Sequence, residues 1–260
     1  MTFVPGAHIF FPDWIWAVLL APFIGSFLGV IVTRKDALAS ALAGRSACDT
    51  CGKDLQAPDL VPLLSWAALK GKCRYCKTPI GLFYPLIELG AIVVALWSAS
   101  VFSGTALWIS CGLGWTLLAL AATDIKYFLL LDMLTLPLIA GGLLAAALLD
   151  ANFLADQGLR DHLLGALAGY VFVRVLRFTY RRLRGREGMG LGDAKLFAAA
   201  GAWISWQGLP SVLVIASLFA LVAVLIWRGS TVEAAQRVPF GVFLAIGLWM
   251  TWLYGPLIMG

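Results

Sequence analysis

Charged residues divide this chain into long apolar stretches joined by short polar ones. Trp14–Thr33 carries no charge and is bounded by Asp13 and Arg34, and Leu89–Thr123, Leu196–Trp227 and Val238–Gly260 are equally uncharged. A hydrocarbon core about 30 Å thick is crossed by about 20 apolar residues in a helix. A helix is needed because lipid satisfies no bare backbone group. Leu89–Thr123 and Leu196–Trp227 are each too long for one crossing. Turn signals cut the first near Ser98–Gly104 and the second at Gln207-Gly208-Leu209-Pro210. The pattern predicts eight spans, at about 14–33, 82–102, 104–123, 133–149, 162–178, 191–206, 211–227 and 238–258. The expected fold is an all-α polytopic membrane protein. It divides into a first transmembrane helix (1–33), a polar loop (34–81) and a transmembrane bundle (82–260).

Composition supports this pattern. Hydrophobic residues make up 61% of the chain and charged residues 13%, too few to clothe a soluble domain. The first apolar segment does not read as a cleavable signal, because Met1–Asp13 holds no Lys or Arg and no small-residue cleavage site follows. With eight spans, every one of the 19 Lys and Arg except Arg160 falls on one side of the membrane. That side is expected to be cytoplasmic, with both termini opposite. The net charge of +5 is therefore a topology signal. It is spread over several membrane-proximal loops, so no nucleic-acid partner is expected.

The polar loop contains Cys48-Asp-Thr-Cys51 and Cys73-Arg-Tyr-Cys76, 21 residues apart. This is the spacing of a four-thiolate zinc site, in which each two-residue gap lets both sulfurs of a pair reach one metal. Two disulfides or four free thiols are the alternatives, and a reducing cytoplasm disfavours the disulfides. The expected role is structural, since four thiolates leave no open coordination position and so small a loop gains folding energy from its metal. Cys111 falls mid-span and reads as packing.

Four acids lie at or inside span ends: Glu88, Asp124, Asp132 and Asp193. Ionisable groups there are costly and mark function by default. Interfacial snorkelling, or pairing with Lys126 and Lys195, is the plainer account, though aspartate is too short to snorkel well. Asp124 ends the third span and Asp193 begins the sixth, both on the expected cytoplasmic side. If those spans pack together, the two carboxyls can share a water. Adjacent carboxyls do not both ionise readily. One can then act as base toward water while the other, protonated, polarises a scissile carbonyl. His8 and His162 fall on the opposite side, and no Gly-x-x-x-x-Gly-Lys-Ser/Thr loop is present. Gly188-Met-Gly190-Leu-Gly192 before Asp193 could admit an extended substrate strand. Alone, that motif is equally a loop entering a helix.

Together these segments carry more. Ile24-Gly25-Ser26-Phe27-Leu28, the cysteine loop from Arg45 through Asp59-Leu-Val-Pro62 to Cys76, and Tyr84-Pro85-Leu-Ile-Glu88-Leu resemble the bacterial type IV prepilin peptidases. So do Asp124 through Thr135-Leu-Pro137, Met189-Gly190-Leu-Gly192-Asp193-Ala-Lys195 and Pro239-Phe240-Gly241. The resemblance implies a Gly-x-Gly-Asp aspartyl protease of the bacterial inner membrane. Its family's catalytic pair falls on Asp124 and Asp193, with Gly190, Gly192, Lys195, Asp132 and Glu88 as supporting residues. Such enzymes cut the basic leader from prepilins or type II secretion pseudopilins at the cytoplasmic face. Many also methylate the new N-terminus with S-adenosylmethionine, and the four-cysteine loop implies that bifunctional form. The chain departs from the family pattern at Leu130-Leu131-Asp132, where Leu-Pro-Asp is usual; this is expected to loosen the turn after Asp124. Val242 replaces a second Pro, and Asp49 replaces a Pro between the first two cysteines. No residue is assigned to the methyl donor, since no glycine-rich nucleotide fingerprint is visible. Glu88 reads as a partner for the substrate amine or as half of a structural ion pair. Asp49, Asp54, Asp59 and Glu187 read as countercharges to a basic leader or as solvated surface. Rival readings are a non-enzymatic scaffold docking a partner through the zinc loop, and a transporter, which would spread its acids across membrane depth.

Overall fold

The computed structural model describes residues 12–34, 46–48, 50–148, 158–185, 189–227 and 238–257. Contacts divide the chain into two compact units, Met1–Val30 with Ala39–Gly112, and Ile31–Leu38 with Leu113–Gly260. The helices are α1 (Asp13–Thr33), the short α2 (Leu64–Ala68), α3 (Phe83–Val101), α4 (Gly104–Tyr127), α5 (Asp132–Leu148), α6 (Leu159–Arg184), α7 (Leu191–Trp227) and α8 (Phe240–Tyr254). Five of them (α1, α3, α4, α6 and α7) are long and apolar enough to cross a membrane, and α5 and α8 are shorter apolar helices. The protein is an all-α, multi-pass membrane protein. Apolar side chains exposed along its helices, such as Phe23, Leu86, Leu167 and Leu221, then face lipid rather than water.

In the first unit, α1 crosses α3 at small residues. A methyl group built on Gly25 would stand 2.6 Å from Glu88 Cα, and one on Gly29 would stand 2.9 Å from the Tyr84 ring. Lipid offers no hydrophobic drive between helices, so such close backbone approach is a main source of their attraction. The polar segment between α1 and α3 carries two short antiparallel bridges, Ala47 with Asp54 and Lys72 with Pro79.

In the second unit, α7 is central and packs against α5, α6 and α8. Its tightest contact is with α6. A methyl on Gly165 would meet Gly201 O at 2.6 Å, one on Gly169 would meet Phe197 O at 2.5 Å, and one on Gly201 would overlap the Gly165 backbone. Trp203 ties three helices, its Nε1–H donating to Leu138 O at 2.8 Å and its ring lying edge-on to Trp252 at 5.2 Å.

The break expected at Gln207–Pro210 lies instead at Ser205, whose φ of 59° and ψ of −179° interrupt α7. Ser205 Oγ accepts the Gln207 N–H at 3.4 Å, capping the helix that restarts there. Gln207-Gly208-Leu209-Pro210 is therefore helical, within the first turns of the second stretch. Two other boundaries differ from expectation. The helix α4 runs on to Tyr127, so Asp124 sits inside it, and α6 runs on to Arg184 on the arginines expected to follow its span. Arg182 lies over the Phe178 ring at 5.2 Å, which carries the charged turn along an aromatic side chain. His8, Arg186, Arg228 and Arg237 lie outside the described residues.

Candidate active site and metal centre

Asp124 lies about one turn before the end of α4 and is 6% exposed. Its Oδ2 accepts the Val242 N–H at 3.2 Å, and the Gly241 N–H is its second backbone partner. Both amides belong to the first turn of α8, where N–H groups have no partner within their own helix. The carboxylate satisfies them and meets the positive end of the helix dipole. Asp193, 8% exposed, is the third residue of α7. Its Oδ2 accepts the Gly190 N–H at 2.9 Å, the side-chain half of a capping box. Two different helix N-termini thus each hold one aspartate.

Both carboxylates line one cavity of about 450 Å³. Its walls are the start of α7 from Met189, the turn Phe128–Leu130 after α4, and Val238 with Phe240 at the start of α8. Gly190 is therefore a cap donor as well as a wall. Gly188 and Glu187 lie outside the described residues.

The turn after Asp124, expected to be looser without the proline, is buried and hydrogen-bonded. Leu130 and Leu131 are both buried, and Leu131 O accepts the N–H groups of Leu134 and Thr135 at 3.0 Å each. Leu130 packs on both helix starts: methyl groups built on Gly192 and Gly241 would stand 2.8 Å and 3.0 Å from its side chain. Nothing local in the sequence marks Leu130. Gly241 and Val242 sit in or beside a motif that carried the family resemblance, but their contact with Asp124 spans 118 positions.

The other acids take structural partners. Asp132 begins α5 and meets Lys195 Nζ at 2.5 Å, joining the starts of α5 and α7 in a partly exposed ion pair. Glu88 is buried, and its described partners are neutral donors, the Leu63 N–H at 2.8 Å and the Ser26 hydroxyl. It links the polar loop to α1 and α3 through hydrogen bonds instead of an ion pair. Asp59, considered as a countercharge for a leader, already accepts from Arg74 Nε at 2.6 Å and from the Gln56 N–H at 3.2 Å. Asp49 lies outside the described residues. His162, expected at the interface, is buried with Nδ1 2.9 Å from Ala202 O, packed beside the α6–α7 crossing.

Cys48, Cys51, Cys73 and Cys76 bring their sulfurs within 4.8 Å of one another, placed to bind a metal ion. The 3.8 Å between Cys48 Sγ and Cys76 Sγ is the edge of a tetrahedron with metal–sulfur bonds of about 2.3 Å. Each pair sits on the same turn. Cys48 N–H donates to Lys53 O and Gly52 N–H returns to Cys48 O; likewise Cys73 N–H donates to Thr78 O and Lys77 N–H returns to Cys73 O. The fourth residue past each leading cysteine is left-handed, Gly52 at φ 67° and Lys77 at φ 61°. Thr78, through its hydroxyl and its backbone, holds the Cys76 thiol down at about 6, favouring the thiolate a metal requires. The donor set therefore fits a structural metal. Cys111 is buried, in keeping with packing.

The bacterial peptidase A24 N-terminal domain matches residues 19–102, and the type IV leader peptidase family matches residues 111–225. A prepilin leader peptidase/N-methyltransferase of Burkholderia pseudomallei (strain 1026b) is 39% identical over 269 residues, covering 92% of this chain and 85% of that protein. The chain belongs to the type IV leader peptidase family. Another member with the same name, from Aeromonas hydrophila, is 40% identical over 215 residues, covering 81% of this chain and 72% of its own. A third, from Pseudomonas aeruginosa, is 35% identical over 265 residues, covering 92% and 89%. No solved structure matches the chain. As a member of a peptidase family, the chain is an enzyme.

Proposed function

We propose that this enzyme is an aspartic endopeptidase with Asp124 and Asp193 as its catalytic pair. In this reading it removes the basic leader of type IV prepilins or type II secretion pseudopilins at the cytoplasmic face of the bacterial inner membrane. The observation that carries the reading is that two acids 69 positions apart in the chain line one cavity, each held at its own helix N-terminus. One carboxylate takes a proton from a water lying between the pair. The water oxygen attacks the scissile carbonyl, whose oxygen receives a hydrogen bond from the other, protonated carboxyl. Collapse of the resulting diol breaks the C–N bond as a proton passes to the leaving amine. Backbone amides of α8 and of Gly190 keep both carboxyls aimed while protons move between them. An incoming substrate helix would lie among lipid-facing helices, with its leader in the cytoplasm.

The relatives' names add N-methylation of the new N-terminus, with S-adenosylmethionine as the expected donor. Among the described residues no donor-binding cluster is assigned, and no step is derived through it. Zinc is the metal the four cysteines suit best, held by Cys48, Cys51, Cys73 and Cys76 as a structural ion.

The test is cleavage of a prepilin by the purified enzyme. Asp124→Asn and Asp193→Asn should each lower the rate by on the order of 10⁴-fold or more, as loss of a principal catalytic group does. Both variants should insert in the membrane with their metal content unchanged. Continued cleavage by either variant would sink the proposal.

A further inference from the structure

Leu130 touches both parts of the site that hold an aspartate. It lies in the turn between α4 and α5 and is 7% exposed. A methyl built on Gly192 would stand 2.8 Å from Leu130 Cβ and 3.2 Å from its Cδ1. One built on Gly241 would stand 3.0 Å from Leu130 Cδ2 and 2.8 Å from Asp124 Oδ2. Gly192 immediately precedes Asp193, and Gly241 is one of the two residues whose amides face Asp124. One side chain therefore fills a notch in the first turn of α7 and a notch in the first turn of α8.

We propose that Leu130 is a positioning residue that sets the separation of the two carboxyls by wedging between these helix starts. This rests on the reading of Asp124 and Asp193 as the catalytic pair. A shared water needs both carboxyls within hydrogen-bond reach of one oxygen. Packed side chains resist compression, whereas a gap between them forfeits contact energy steeply. A wedge in contact on both sides therefore limits motion in both directions. A misplacement of about 1 Å costs on the order of 100-fold in rate. The same geometry explains why neither notch residue carries a side chain: a Cβ at either position would push Leu130, and at Gly241 would also push Asp124, off its place.

Shape at constant volume is the direct test, because Leu130→Ile keeps the atoms but moves a methyl onto Cβ, beside Gly192. Leu130→Met keeps a slender Cβ and Cγ. Purified full-length variants would be assayed on a prepilin for kcat and KM, with unfolding temperature in the same detergent. Leu130→Ile and Gly192→Ala should lower kcat by on the order of 10- to 100-fold, with KM within about 2-fold. Leu130→Met should stay within about 3-fold of the parent, and the unfolding temperatures of Leu130→Ile and Leu130→Met should agree. Parent-like kcat in Leu130→Ile overturns the proposal. So does an equal loss in Ile and Met variants that tracks their unfolding temperatures, because that is simple core packing. Cleavage by Asp124→Asn or Asp193→Asn would instead remove the reading beneath it, whatever Leu130 does.

Discussion

In the cysteine loop, each leading cysteine is aimed by backbone contacts four and five residues away: Cys48 by Gly52 and Lys53, Cys73 by Lys77 and Thr78. At the aspartates the ranges are mixed. Asp193 takes its amide three positions back, but Asp124 takes its own 118 positions on, from α8. The loop is written in short turns that place four sulfurs to bind a metal ion. The cavity is written in helix packing, and at Gly192 and Gly241 its walls close on the Leu130 side chain. Damage to one should therefore look unlike damage to the other.

Removing a sulfur offers the largest separation of the two. Cys73→Ser takes away the most buried ligand of the set. Metal binding of this kind contributes on the order of 10 kcal/mol to its fold. The variant should lose its metal and become protease-sensitive within residues 46–82, while α5 to α8 remain resistant. Equal digestion of the bundle would break the distinction. Gly201→Ala attacks the other side. Its methyl would overlap the Gly165 backbone at the α6–α7 crossing. Overpacking costs about 1–3 kcal/mol, occasionally more, so unfolding temperature should fall while metal content holds. A fall in metal content would show that the two regions are not independent. The smallest effect tests the turns themselves. Lys77 holds the left-handed position that Gly52 fills in the first pair. A non-glycine residue there costs about 1 kcal/mol, so Lys77→Gly should raise metal affinity by a few-fold in competition with a chromophoric chelator. Unchanged affinity would mean that the turn bears no strain at that position.

The same difference in range decides what the sequence disclosed. The cysteine spacing is readable because both sulfurs of a pair share one turn. Asp124 and Asp193 are readable because a carboxyl at a span end is conspicuous against apolar neighbours. Glu88 stands out for the same reason, but its hydrogen bonds to Leu63 and Ser26 depend on how α1 meets α3, which no local pattern encodes. Leu130 is invisible for the opposite reason: it is an ordinary apolar residue whose importance comes from two distant glycines. The misplaced break in α7 has a local cause. Gly208-Leu209-Pro210 carries strong turn signals, yet the chain runs helically through them, because Ser205 just upstream supplies both the bend and the cap.

The amides that face Asp124 also bear on where this peptidase ends. The stretch recognised as the leader peptidase family stops at residue 225, short of α8. A protein trimmed to that stretch would keep both acids and lose the scaffold that aims one of them. If Asp124 is catalytic as proposed, a fragment ending at residue 225 should cleave prepilin far more slowly than the full chain, although it keeps both acids.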